Sequence, residues 1–135
     1  MNDCIFCKII AGEIPCEKVY EDENTFAFLD IKPVNQGHTL VIPKGHYENI
    51  FDLPESTLLP VMSSVKKVAG MIKKGLGIEH VNLAMNNGAD AGQVVFHAHI
   101  HVIPRHKGDG HELWHGSPYN DGEMREIAEK LKNTR

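Results

Sequence analysis

The stretch FHAHIHVIPRH limits the fold more than any other part of this chain. His97, His99 and His101 alternate with Phe96, Ala98, Ile100 and Val102. Strict period-two alternation predicts a strand with one buried face. A helix would scatter the three imidazoles about 100° apart per step, whereas a strand points them all one way. Pro104 is expected to stop that strand. Same-face neighbours on a strand lie roughly 6.6 Å apart, so His97 and His101 are roughly 13 Å apart. One metal cannot easily be held by both ends, and the three histidines divide between jobs. The plain alternative is a partly exposed polar face without function.

The rest of the chain bounds the setting. A length of 135 residues suits one domain with a sizeable core. A net charge of −4 argues against wrapping a nucleic-acid polymer but leaves room for a small anion in a local pocket. No apolar run reaches membrane-spanning length, so no membrane association is expected. The start MNDCIFCKIIAGEIP lacks the basic and apolar blocks of a secretory signal. Three cysteines, an odd count, fit a cytoplasmic location better than a disulfide framework.

Patterning gives the element order. CIFCKIIAG reads as a short helix closed by Gly12. KVYED and TFAFLD read as two strands joined through Glu23 and Asn24, and HTLVIP as a third. A long helix follows, with Leu58, Met62, Val65, Val68, Ala69 and Ile72 on one stripe. Pro60 should fall in its first turn, and Gly75 and Gly77 should end it. HVNLAMN and VFHAHIHVI supply a fourth and a fifth strand. A last helix carries Met124, Ile127, Ala128 and Leu131, capped by Asn120 or Asp121. The fold class is α+β, with a mainly antiparallel five-stranded sheet.

Three further clusters carry chemistry. Cys4 and Cys7 have CxxC spacing, and a closed zinc site needs two more ligands. His46, just after a strand, and His97 are the preferred partners. A redox dithiol or two small core residues are the alternatives. NNGADAGQVV brings Gly88, Gly92 and the Gln93 amide up to the histidines, as a phosphate-binding loop or a plain hairpin connection. Asp30 can accept both hydroxyls of a ribose or be a solvated turn carboxylate.

Together these residues resemble the histidine triad (HIT) family. HAHIHVI matches the signature throughout, and the likeness extends through NNGADAGQVVF, GHTLVIPKGH, FLDIKP and CIFCKIIAGEIP. It is strongest to the Hint-like branch of small bacterial members. The resemblance implies a single HIT domain over residues 1–135. It also implies a homodimer with joined sheets and a purine nucleotide or nucleotide conjugate in each cleft. The implied reaction is hydrolysis or transfer at the α-phosphorus, with His99 as nucleophile and His101 approaching the phosphate. Nucleotide contacts fall on Asp30, Ile31, His38, Asn86, Gly92, Gln93 and Val94, as well as on His99 and His101. In zinc-bearing relatives the metal ligands fall on Cys4, Cys7, His46 and His97, which implies one structural zinc per chain.

The chain departs from its relatives at Val94, where many have a hydroxyl residue, so only the backbone N–H remains for phosphate. It also lacks the Trp-Pro-Pro-Gly ending of eukaryotic Hint proteins, which have themselves lost the zinc pair. A neutral imidazole, with an unperturbed pKa near 6.5, suits attack on phosphorus. Its second nitrogen should donate to a fixed acceptor. No carboxylate pair suited to magnesium accompanies the site, so turnover without a divalent metal at the phosphate is expected. The alternative is a nucleotide-binding or interaction protein with negligible turnover.

Overall fold

The computed structural model describes residues 3–134. Its strands are β1 (Lys18–Glu21), β2 (Thr25–Leu29), β3 (Thr39–Pro43), β4 (His80–Ala84) and β5 (Ile100–Arg105). They form one sheet in the order β1-β2-β3-β5-β4, with every pair antiparallel. The helices are α1 (Ile5–Ile10), α2 (Glu55–Leu76) and α3 (Glu123–Lys132). The expected α+β class, the five strands and the three helices are all present. Among the described residues no helix is long and apolar enough to cross a membrane.

Alternation along the strands builds two cores. Ala27, Val41 and Val102 face α2 and pack against its Val61, Val65, Val68 and Ile72. Phe26, Phe28, Leu40 and Ile42 point to the other side and pack with Phe6 and Ile9 of α1. Truncating a buried isoleucine such as Ile42 to alanine should cost about 2–5 kcal/mol. Asp22 fixes the β1–β2 turn by accepting from the Asn24 and Thr25 N–H groups, and Ser64 of α2 donates to it at 3.2 Å. The long helix is thereby locked onto the hairpin by a polar contact as well as an apolar one.

Several expectations need correction. The fifth strand begins at Ile100, so His97 and His99 precede it. The cause lies in the neighbouring strand. Val41 pairs with Ile100, and continuing that register would set Pro43 opposite Ala98, where proline has no N–H to give. Ala98 N–H instead bonds the Tyr47 carbonyl at 2.7 Å. Pro104 does not stop the strand but lies inside it, opposite Val81, beyond the stretch paired to β3.

Pro60 is the sixth residue of α2, not a first-turn residue. It forfeits only the bond to the carbonyl of Ser56, an exposed residue. Gly77 ends α2 at φ 69°, as expected, but Leu58 and Met62 leave the buried stripe and line an apolar recess that reaches His99. The fourth strand stops at Ala84, before Met85 and Asn86. The cap of α3 is Gly122, at φ 79° and with no side-chain cap bond, rather than Asn120 or Asp121; Glu123 Oε1 accepts the Asn120 N–H just before it. No residue of α3 is buried, and its apolar stripe has no partner among the described residues.

Candidate active site

The three histidines share a face although only His101 lies in the strand. Phe6 of α1 packs edge-on against His97 and His99, with ring centroids 5.9 and 5.1 Å away. His99 and His101 rings are 5.0 Å apart. Each imidazole is buried or half-buried, and different partners fix which nitrogen carries the proton.

His97 is fully buried, and its Nε2 lies 2.8 Å from the Pro43 carbonyl, to which it must donate. Its Nδ1 then has a lone pair facing Cys4 Sγ at 3.5 Å and Cys7 Sγ at 3.6 Å. Cys7 Sγ also lies 3.4 Å from His46 Nδ1. A zinc ion with the usual sulfur and nitrogen bond lengths sets the sulfur–nitrogen edges of its tetrahedron at about 3.5 Å. The four residues therefore fit a closed zinc site, and the Pro43 carbonyl supplies the outer contact that orients a ligating imidazole. This is the quartet expected from CxxC spacing.

His99 is fixed in the opposite sense. Its Nδ1 donates to the His97 carbonyl at 2.7 Å, so Nε2 keeps a lone pair. Burial lowers its pKa below the ordinary value, favouring the neutral ring. The acceptor expected for the second nitrogen is present as a backbone carbonyl.

His101 is fixed through a relay. Val34 N–H donates to His38 Nδ1 at 3.0 Å, which leaves the proton of neutral His38 on Nε2. That Nε2 lies 2.9 Å from His101 Nδ1 and donates to it. His101 consequently carries its proton on Nε2. Burial, aided by the neighbouring His99 and His38, pushes its pKa down to about 4. Burial also lowers that of His38, against the pull of Asp30.

Asp30 stands beside this relay, with Oδ2 3.7 Å from His38 Nε2 and Oδ1 accepting Lys32 N–H at 2.8 Å. Ile31 is 92% exposed next to it. Across the loop, Gly92 lies beside Asn86 and has φ 96°, a backbone conformation that favours glycine. Val94 is exposed. Gln93 differs from expectation. Its side chain is buried, Nε2 donates to the Glu48 and Val95 carbonyls, and Oε1 accepts Gly88 N–H. It shapes the loop from within rather than offering an amide to a ligand.

Sequence reasoning missed a clasp behind the relay. Asn35 Nδ2 donates to the Pro104 carbonyl at 2.8 Å and to Asp109 at 2.9 Å. Arg105 holds the same carboxylate through Nε at 2.7 Å, and His111 Nε2 lies 3.1 Å from the Val34 carbonyl. The clasp fixes the segment that presents Val34 and His38. Its one sequence signal is Asp109 between Gly108 and Gly110, both at positive φ.

The HIT domain profile matches residues 11–108. The chain is 49% identical over 108 residues to the adenylylsulfatase HINT3 of Arabidopsis thaliana, covering 80% of this chain and 55% of that one. It is 38% identical to the adenosine 5'-monophosphoramidase hnt1 of Schizosaccharomyces pombe over 96% of both chains. A zinc-bound histidine triad family protein from Mycobacterium smegmatis has the same fold, with TM-score 0.77, 36% identity and 99% of each chain covered.

Proposed function

The chain belongs to the HIT family, and on that premise we propose that it is a nucleotide hydrolase acting at the α-phosphorus of an adenylyl-type conjugate through His99. The observation that carries this reading is the opposed tautomers of His99 and His101. His99 offers a lone pair at Nε2, and His101 offers a proton at its own Nε2, on adjacent rings. A phosphoramidate and an adenylyl sulfate, the substrates that name two relatives, share an adenylyl phosphorus and differ in the leaving group.

In the first step the His99 Nε2 lone pair forms a bond to phosphorus. The bond from phosphorus to the leaving heteroatom breaks and its electron pair departs with that atom. The His101 Nε2–H donates to the phosphate as charge shifts, or to the departing amine. In the second step water attacks phosphorus and its proton goes to His101 Nε2 where that nitrogen gave one to the amine, or otherwise to solvent; the phosphorus–nitrogen bond breaks with its electron pair going to Nε2, and the neutral ring of His99 returns. Asp30 holds the ribose hydroxyls, and Ile31, Asn86, Gly92 and the Val94 N–H border the nucleotide.

Cys4, Cys7, His46 and His97 hold one structural zinc, which would bind the N-terminal segment to the residues just before His99. The reading also includes a homodimer. The unpartnered apolar stripe of α3 and the exposed Leu83 on edge strand β4 support it. Single-turnover mixing with a labelled adenosine phosphoramidate tests the mechanism. Covalent label on wild-type protein and none on His99→Ala supports it. Nucleotide binding without label or turnover would return the chain to a binding role.

A further inference from the structure

We propose that Asn35, Asp109 and His111 are positioning residues, whose clasp on Val34 decides which nitrogen of His101 carries the proton offered at the phosphate. The effect on turnover rests on the hydrolase reading above, whereas the control of the proton does not. Between Asp30 and His38 the chain is mostly exposed. Among the described residues, its hydrogen bonds to distant parts of the fold are those of Asn35 and His111. Asn35 Nδ2 donates to the Pro104 carbonyl and to Asp109, and His111 Nε2 donates to the Val34 carbonyl at 3.1 Å. His111 is itself aimed by its backbone. Its N–H bonds Asp109 Oδ1 at 3.1 Å, and its carbonyl accepts from Arg105 Nη2 at 2.7 Å. The Asp109 side chain is 4% exposed, so the centre of the clasp is shielded from water. Asp109 and His111 both lie beyond residue 108, where the family profile ends.

Two exclusions of donor by donor carry the influence of the clasp inward. With Val34 N–H held against His38 Nδ1 at 3.0 Å, a proton on that nitrogen would set donor against donor. Neutral His38 therefore keeps its proton on Nε2, which faces His101 Nδ1 at 2.9 Å. The same exclusion then keeps the His101 proton on its own Nε2. Releasing Val34 lets its N–H withdraw. His38 can then carry its proton on Nδ1, its Nε2 accepts from His101 Nδ1, and His101 Nε2 is left with a lone pair. No proton is gained or lost, because each ring exchanges its own from one nitrogen to the other through solvent. A lone pair aimed at an anionic phosphate repels where the proton attracted. Asp30 Oδ2, 3.7 Å from His38 Nε2, favours the present arrangement by charge, but from beyond hydrogen-bond distance. A released clasp therefore yields a mixture of tautomers rather than a complete exchange.

The test uses the zinc-loaded full chain with isotope-labelled histidines. Long-range proton–nitrogen correlation spectra distinguish a protonated ring nitrogen from a bare one. In wild type, His38 and His101 should each show a bare Nδ1 and a protonated Nε2. Asn35→Ala should move the His101 Nδ1 signal toward the protonated type. It should also lower the single-turnover rate on adenosine phosphoramidate by about three- to tenfold, the span of one net hydrogen bond. His111→Ala should do the same more weakly. His111→Gln, which keeps a side-chain N–H donor near the place of Nε2, should restore both readings. Melting temperature is followed alongside, because a clasp that only stabilised the fold would lower it and leave the nitrogen signals alone. Unchanged signals in Asn35→Ala and His111→Ala overturn the proposal. Should Asn35→Ala not fold, His111→Ala decides by itself, since that side chain is exposed. A His111→Gln protein that behaves like His111→Ala removes His111 from the clasp. Shifted signals with an unchanged rate overturn the role in turnover. Wild-type protein that turns nothing over fails the hydrolase reading, and the nitrogen signals still decide the clasp.

Discussion

His97 and His101 lie four residues apart on one face of the sheet and have opposite surroundings. His97 is sealed, with its outer nitrogen held by the Pro43 carbonyl and its inner nitrogen facing two sulfurs. His101 is half-exposed, and its inner nitrogen is held by another imidazole. In both, one nitrogen is spoken for by the fold and the other is left for a visitor. The difference teaches that residue type alone does not assign a job. The partner of the second nitrogen decides whether an imidazole presents a lone pair or a proton.

The comparison breaks most sharply at the residue between them. His99→Ala should lower turnover on the order of 10⁴-fold while nucleotide affinity changes little, read by single-turnover kinetics and equilibrium binding. Near-normal turnover would remove His99 from the chemistry and leave the two ends without a centre.

The sealed end is tested next. Cys4→Ser should lose zinc by elemental analysis and lower Tm on the order of 10 °C by calorimetry, since metal binding and folding are linked. Activity per folded molecule should fall only modestly. Loss of turnover with Tm unchanged would make the metal catalytic and cancel the contrast between a structural and a reactive end.

At the open end, Asp30→Ala should weaken ribonucleotide binding by about 1.5–3 kcal/mol and reduce preference for ribose over deoxyribose. An unaltered preference, measured by calorimetric titration of both nucleotides, would assign Asp30 to the relay alone.

The smallest effect concerns the clasp. Arg105, with further donors at His111, Asn35 and His106, holds the Asp109 carboxyl far below the usual carboxylate range. A depressed folded pKa means the stabilisation is fully present above the unfolded value, near 3.9, and is lost as pH falls through the folded one. Urea unfolding should therefore show Asp109→Asn less stable than wild type at pH 7, with the gap narrowing progressively as pH falls below about 4. A gap that is constant with pH would mean the charge itself is irrelevant to holding the His38 segment.

Much of this contrast was legible in the sequence. Period-two alternation put three histidines on one face, and CxxC spacing asked for two more ligands that the fold delivers as His46 and His97. What was not legible depends on partners distant along the chain. The late start of β5 follows from Pro43 standing opposite Ala98, a consequence of register rather than of the histidine run. Gln93 looked like a donor to ligand, but its neighbours Glu48 and Val95 claim it. The clasp joins Asn35 to Asp109 across 74 positions, and no local pattern announces such a pair. Gly122 caps α3 by its left-handed backbone at φ 79°, without a side-chain bond, which a search for cap side chains overlooks.

The contact from Cys4 to His97 spans 93 positions. A metal bound there ties a ring around most of the chain. In chain-entropy terms a cross-link closing a ring of that size restricts the unfolded ensemble by about 4–5 kcal/mol. It also orders events in time. The two thiols leave the ribosome 93 and 90 positions ahead of His97, which follows all of α2 and β4. Until then the amino-terminal helix holds half a coordination sphere, open to any thiol-seeking metal or oxidant. Completion of the quartet therefore marks the moment when the nascent chain has brought its two distant segments together.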